Sequence, residues 1–414
     1  MSAQMPRAVW MAVAAGVALR LAFALGYWVD KPLTHDEREY LTLAGNVAAG
    51  RGFVHLSPDG SSVPGEHFGR APLYPLFLAG VVRASGAEGA SAIPPAPDAA
   101  PAAAVLRAVR AAQSVLGGAI VWLVAWLAGR AAGPRAAAAA AALAAVYPPL
   151  VWTPAYVWSE TLFSVLALGC AAVLTRTPGS PGGAAASGAL GGLSVLTRPA
   201  MLFFLPLAFI WLGWRHGWRA AAILTVACLL VVAPWTIRNA REYGRFVLIA
   251  SEGGITFWTG NHPLAVGEGD LAANPALKRA NADLRARYPG RSPEDLEPIY
   301  YREAWRFVGE APGAWLRLVA RKAFYTVVPV GPSYRLHSAR YYAASALSYA
   351  AVLPFALLGL RALWRKGRLP APLLLLASSS LAVCLVFFPQ ERFRIPVVDP
   401  TLLVAAASWR ALRG

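Results

Sequence analysis

Apolar residues gather in long blocks along this chain rather than alternating with polar ones. Blocks at 8–28, 103–128, 135–151, 155–175, 183–197, 199–214, 218–236, 343–363, 371–388 and 396–411 are each expected to be helical. A hydrocarbon core of about 30 Å takes roughly 20 residues of helix, so these blocks predict an all-α polytopic membrane protein with about ten transmembrane helices. The first block follows Arg7 and is too long for a secretory h-region, with no small-residue cleavage site behind it, so it reads as a membrane helix. Two further apolar stretches, 71–84 and 314–330, would each invert the orientation of all later helices if counted alone as spans. The first is short and begins at Pro72 and Pro75; the second carries Arg317, Arg321 and Lys322 at helical spacing. Both are expected to lie along the interface on the outer face. An amphipathic helix is expected at 37–49 and another helical pattern around Ile299–Val308. The Ala/Pro segment 91–104 reads as a loop. The alanine run 136–145 and the Gly188/Gly192 pair read as small-residue helix packing. No internal repeat supports a duplicated transporter.

Charge sets the orientation. The short loops holding Arg130 and Arg135, Arg176, Arg215 and Arg219, Arg361 to Arg368, and the end with Arg410 and Arg413 all fall inside if the N-terminus is inside. The expected organisation is then a transmembrane region 1–236 with an outer loop 29–102, an extracytoplasmic region 237–342, and C-terminal membrane helices 343–414. This places a multi-pass protein in the cell's inner membrane. Composition agrees: 57% of residues are hydrophobic and 14% charged, against about 25% charged in soluble domains. The net charge of +17 sits at span ends, where it meets membrane lipids, and no basic arm or RNA-binding signature accompanies it, so nucleic acid is not an expected partner. Cys170, Cys228 and Cys384 lie inside apolar blocks and are expected neither to pair nor to bind metal.

The candidate chemistry lies in the first outer loop: His35-Asp36-Glu37-Arg38-Glu39-Tyr40, then Gly50-Arg51-Gly52-Phe53, then Arg70-Ala71-Pro72-Leu73-Tyr74-Pro75. An acid pair just beyond a membrane helix serves as a general base or, more blandly, as a helix cap. Arg20, inside the first span, is either a functional intramembrane charge or a structural one, and the structural reading is preferred. His35, His55 and His67 match no standard zinc spacing. Basic residues on the outer side, Arg70, Arg198, Arg238, Lys322, Arg392 and Arg394, either hold a phosphate or simply reach for headgroups.

The order of these pieces resembles the GT-C glycosyltransferases, in particular the branch of protein O-mannosyltransferases, lipid A aminoarabinose transferases and rhizobial galacturonosyl transferases. The likeness is strongest over residues 20–80. It continues through Tyr147-Pro148, Ser159-Glu160, Arg198-Pro199, Pro234-Trp235-Thr236-Ile237-Arg238-Asn239 and Arg392-Phe393-Arg394-Ile395-Pro396. The resemblance implies a helical fold with two outer juxtamembrane helices. It also implies an inverting transfer of sugar from a polyprenyl-phosphate donor to a lipid, glycan or protein acceptor on the outer face. The catalytic residues it implies are Asp36, with its neighbour Glu37, and Glu160. The substrate-binding residues are Arg70, with Tyr74 in the same motif, and the outer cations Arg198, Arg238, Lys322 and Arg394. Some relatives carry an acid immediately before the basic residue; here that position is Gly69, with Glu66 the nearest acid. A divalent metal ion is therefore left open. A transporter or flippase of lipid-linked sugars is the main alternative, although such proteins usually place polar groups within spans near the midplane. A catalytically dead sugar-binding relative and an O-antigen-ligase type enzyme are further alternatives.

Overall fold

The structure is a computed structural model that describes residues 5–29, 31–54, 70–86, 101–269, 271–332 and 338–412, for Tyr243 and Pro293 the backbone only. The regular structure of the described residues is all helical, without strands. In chain order the helices are α1 (Arg7–Ala22, continued by a π-turn to Tyr27), α2 (His35–Ala48), α3 (Leu73–Ala84), α4 (Ala103–Ala132), α5 (Pro134–Val146), α6 (Pro148–Trp152), α7 (Glu160–Arg176) and α8 (Pro181–Thr197). They continue as α9 (Phe204–His216), α10 (Trp218–Tyr243), α11 (Gly253–Gly260), α12 (Pro275–Ala286), α13 (Pro293–Glu310), α14 (Pro312–Val327), α15 (Ala339–Arg365), α16 (Ala371–Val386), α17 (Glu391–Arg394) and α18 (Val398–Ala411).

All the expected spans are helical, but their lengths divide them. Arg7–Tyr27, Ala103–Ala132, Trp218–Glu242 and Ala339–Arg365 are long and apolar enough to cross a membrane by themselves. The pair Pro134–Val146 and Pro148–Ala155 makes a fifth if counted as one span bent by 64°. By contrast α7 and α8 have 17 residues each, α9 13, α16 16 and α18 14. At 1.5 Å per residue such helices fall short of the hydrocarbon thickness. Proline breaks cause part of this: Pro148 and Pro149 follow α5, Pro199 follows α8, and Pro389 and Pro396 flank α17. Proline has no N–H to donate and clashes with the preceding turn.

The break after α5 explains Arg20. Pro148 and Pro149 cannot bond the last carbonyls of α5, which would be buried without partners. Arg20, fully buried, donates Nη1 to Ala145 O at 3.1 Å and Nη2 to Ala144 O at 2.9 Å, and also bonds Gly16 O in its own helix at 2.8 Å. The structural reading of this charge therefore holds.

Two helix layers enclose the core. One packs α1, α4, α5 and α18 through the alanine run, whose Ala136, Ala137, Ala140, Ala141, Ala144 and Ala145 are buried. The other packs α7, α8, α9, α10 and α16. In the second, Gly188 lets the α10 backbone approach so closely that a Cβ there would lie 2.2 Å from Leu224 O. The two amphipathic helices α2 and α3 pair and lie on α4, and α11, α12 and α13 form a small apolar cluster of their own. All three cysteines are buried and unpaired.

Candidate active site

The acid pair divides its labour at the start of α2. Thr34 and Glu37 form a capping box: the Thr34 N–H donates to Glu37 Oε2 at 2.7 Å, and the Glu37 N–H donates to the Thr34 hydroxyl. The other oxygen of Glu37 accepts the Val157 N–H at 2.9 Å. That bond ties the entry of α7 to α2, and Glu37 is 1% exposed. Both oxygens are occupied by structure, so the carboxyl expected to share in catalysis lies away from open space. Burial pushes it up despite those bonds.

Asp36, one residue earlier and a different helical face, points into a cavity of about 430 Å³. Arg70 Nη2 donates to its Oδ1 at 2.7 Å, and Arg392 Nη1 donates to its Oδ2. Arg70 also bonds Glu39, through Nε at 2.9 Å and through Nη2, and its Nε lies 3.6 Å from Glu252 Oε1. A second cluster adjoins: Arg198 Nη1 pairs with Glu160 Oε1 at 2.7 Å, and Arg392 Nε lies 4.0 Å from the same oxygen. The guanidiniums are oriented by rings: Arg70 over Tyr40 at 5.0 Å, Arg392 over Trp158 at 5.4 Å, and Arg198 over Phe393 at 5.3 Å. Planar cations stack on aromatic faces while keeping their donors in plane for a carboxylate or phosphate. Burial alone would push the Asp36 carboxyl up; Arg392 and Arg70 outweigh it and hold it well below the usual carboxylate range.

Away from the charges the cavity wall is mostly apolar, interrupted by Thr256, Ser379 and Ser380. Met201, Phe203, Leu376, Val383 and Phe387, from the break after α8 and from α16, extend it away from the charges. The short helices thus have a local consequence: their broken ends supply Glu160, Arg198 and Arg392 at the level where the cavity sits.

Four expected binding residues lie elsewhere. Arg394 is buried against Asp399, with Nε to Oδ1 at 2.7 Å, and rests on the Tyr349 ring. Lys322, fully buried, donates to Asn261 Oδ1 and Leu385 O at 3.1 Å each, closing the end of α16. Tyr74 is buried between α2 and α4 and donates to Gln113 Oε1 at 2.8 Å. Arg238 bonds its neighbour Asn239 and covers the Trp235 ring. None of these four lines the cavity. Conversely, Glu39, Glu252 and Arg392 belong to the site. Arg392 and Glu39 stood inside quoted motifs, whereas Glu252 follows no motif and is brought in only by the fold.

No family model matches the chain, and no curated protein sequence matches it either. Solved structures do. The chain is similar to the archaeal oligosaccharyltransferase AglB of Archaeoglobus fulgidus in its apo form, with a TM-score of 0.58 at 15% identity, over 97% of this chain and 50% of that one. It is also similar to AglB in complex with an inhibitory peptide and a dolichol-phosphate, with a TM-score of 0.56 at 16% identity, over 97% and 49%. The fold is that of the GT-C membrane glycosyltransferases. A weaker likeness, with a TM-score of 0.44 at 15% identity, reaches ArnT from Cupriavidus metallidurans bound to undecaprenyl phosphate, over 97% of this chain and 77% of that one. The chain spans about half the length of the AglB structures it matches.

A metal has little room among the described residues. An AglB structure is in complex with Zn and sulfate, but here the spaces between the carboxylates are filled by guanidiniums, and both Asp36 oxygens are taken. No group of three or more His, Cys, Asp and Glu among the described residues is arranged to hold an ion. Glu66, His55, His67 and Gly69 lie outside the described residues.

Proposed function

We propose that this chain is an inverting glycosyltransferase that moves a sugar from a polyprenyl-phosphate donor to an acceptor on the extracytoplasmic face of the inner membrane. The observation that carries this is the clamp of Arg70 and Arg392 on Asp36 at the head of an apolar-walled cavity. A lipid phosphate matches both halves: guanidiniums for the phosphate, apolar wall for the isoprenoid. AglB, whose fold the chain shares, binds a dolichol-phosphate, which supports the same donor class here.

A polyprenyl phosphate is already a competent leaving group, so the protein has to supply cations for the departing charge and a base for the nucleophile. In our reading Arg70, Arg392 and Arg198 provide the cations. The acceptor's hydroxyl or amine attacks the anomeric carbon, the carbon–oxygen bond to phosphate breaks, and the nucleophile's proton passes to Asp36. In the unliganded site Asp36 is a weak base because two arginines hold it. A donor phosphate that draws on the same guanidiniums restores its basicity, so the base becomes competent when the donor is in place. Glu160 keeps Arg198 and Arg392 oriented, and Glu37 positions α2.

The transporter alternative finds less support, because the charges buried among the helices away from the cavity, such as Arg20, Arg110 and the Arg394–Asp399 pair, are spent on local partners. The test is a comparison of lipid extracts from cells with and without the gene. Accumulation of a polyprenyl-phosphate sugar together with loss of one glycoconjugate supports the transferase. An unchanged lipid and glycan profile would sink it.

A further inference from the structure

The motif Pro234-Trp235-Thr236-Ile237-Arg238-Asn239 has no side chain in the cavity, yet it has a structural task. It forms the end of α10, and three of its side chains hold the following strap by its carbonyls. Trp235 Nε1 donates to Ile249 O at 2.9 Å, Thr236 Oγ1 to Leu248 O at 2.8 Å, and Asn239 Nδ2 to Val247 O at 3.0 Å. Asn239 is fully buried in doing so. From the other side α13 fastens the same strap: Ser251 donates to Glu294 at 3.3 Å, and the Gly254 N–H donates to Glu297 Oε1 at 3.0 Å. Gly254 is required there, since a Cβ would lie 2.6 Å from Glu297 O.

All of this fixes Glu252, the residue before α11, in the lining of the cavity. Its environment differs from that of Asp36. Both Asp36 oxygens are bonded, whereas among the described residues the Glu252 carboxylate pairs with Arg70 alone, at 3.6 Å, and its side chain is 42% exposed. It is therefore a carboxylate with acceptor capacity to spare, beside the Nε of the same Arg70 whose Nη2 holds Asp36.

We propose that Glu252 is a specificity-determining residue for the acceptor: it receives a hydrogen bond from a polar group beside the attacking hydroxyl or amine, whose own proton goes to Asp36, and so aligns the acceptor with the donor. Trp235, Thr236 and Asn239 are positioning residues that act through the strap. This rests on the transferase reading above and adds the acceptor side of that site. No group transfer beyond the one already described is involved.

The test uses the full chain in nanodiscs, undecaprenyl phosphate as donor-side probe, and a panel of undecaprenyl-phosphate-linked sugars. A membrane lipid extract from cells lacking the gene serves as the acceptor probe. Glu252→Gln is expected to raise the half-saturating amount of extract about tenfold or more, the scale of one hydrogen bond to a charged group. Protection of the protein against heat by undecaprenyl phosphate should be at least that of the parent, because Arg70 loses a competing carboxylate. Asn239→Ala should move the same half-saturation in the same direction by less, with Asn239→Ser falling between Ala and the parent. An unchanged half-saturation in Glu252→Gln overturns the proposal. So does a fall in maximal rate alone, which would put Glu252 in the chemical step. If the parent itself gains no heat protection from undecaprenyl phosphate and releases none from the sugar panel, the donor reading fails first and the proposal falls with it.

Discussion

Replacing Asp36 by Asn separates a base from a capping acid, because the start of α2 does not depend on Asp36. The cap of α2 is made by Thr34 and Glu37, so Asp36→Asn leaves the helix start intact. What it removes is one negative charge between Arg70 and Arg392. Arg70 keeps Glu39 and Glu252, and Arg392 keeps Glu160 at 4.0 Å, so neither guanidinium is stranded. We expect a stability loss of about 1–3 kcal/mol, the range for hydrogen bonds to charged groups. Turnover should fall about a hundredfold or more, the scale of general-base catalysis. Donor binding should move the other way. The mutant carboxamide no longer competes with phosphate for the two arginines, and a partly exposed competing charge is worth about 1 kcal/mol. Undecaprenyl phosphate should therefore bind about fivefold tighter, as read by heat protection or calorimetry, while transfer is read by release of the lipid phosphate. Near-normal turnover in folded protein would remove Asp36 from the chemistry. Weaker donor binding would refute the idea that Asp36 and the phosphate share the arginines.

Four other outcomes follow from the same geometry. Glu37→Ala should lower the melting temperature by the equivalent of about 2 kcal/mol, since it leaves buried N–H groups unpaired, and donor protection should persist in the folded fraction. Lys322→Met should destabilise by a similar amount through the end of α16 and leave half-saturation for both substrates unchanged; a selective donor defect would return Lys322 to the site. A cysteine placed at Asn281 should be labelled by an impermeant reagent from outside, and protection there would invert the orientation. Burial pushes the Glu252 carboxyl up to about 7, with Arg70 and Arg392 opposing this and Glu39 and Asp36 adding to it. Use of the acceptor should therefore improve as pH rises through about 7 and the group ionises. Glu252→Gln should flatten that limb, whereas Glu297→Gln, whose parent carboxyl is also raised by burial to about 7 on the outer helix α13, should not.

The helices over the apolar blocks and the two short amphipathic helices were legible in the sequence, because each rests on local periodicity or on neighbours a few positions away. The helix at His35–Ala48 and the paired Leu73–Ala84 appear as expected. The resemblance to GT-C enzymes likewise held at the level of the fold. Span length was less legible, since hydropathy does not show that proline breaks shorten the helices around a cavity. Which charge faces the cavity was decided only in three dimensions. Asp36 and Glu37 are adjacent and chemically alike, yet the rotation of about 100° from one helix position to the next sends the second into a cap and onto Val157. Arg392 and Arg394 stand two residues apart in one motif, and the chain reversal around α17 turns the first toward Asp36 and buries the second on Asp399. Lys322 sits at interfacial spacing but serves a helix end that sequence places far away. Glu252 had no local signal, because its position depends on bonds from α10 and α13 to a strap between them. Local patterns determine where helices form; the direction of a lone charge depends on long-range packing, and the candidate site is made of such charges.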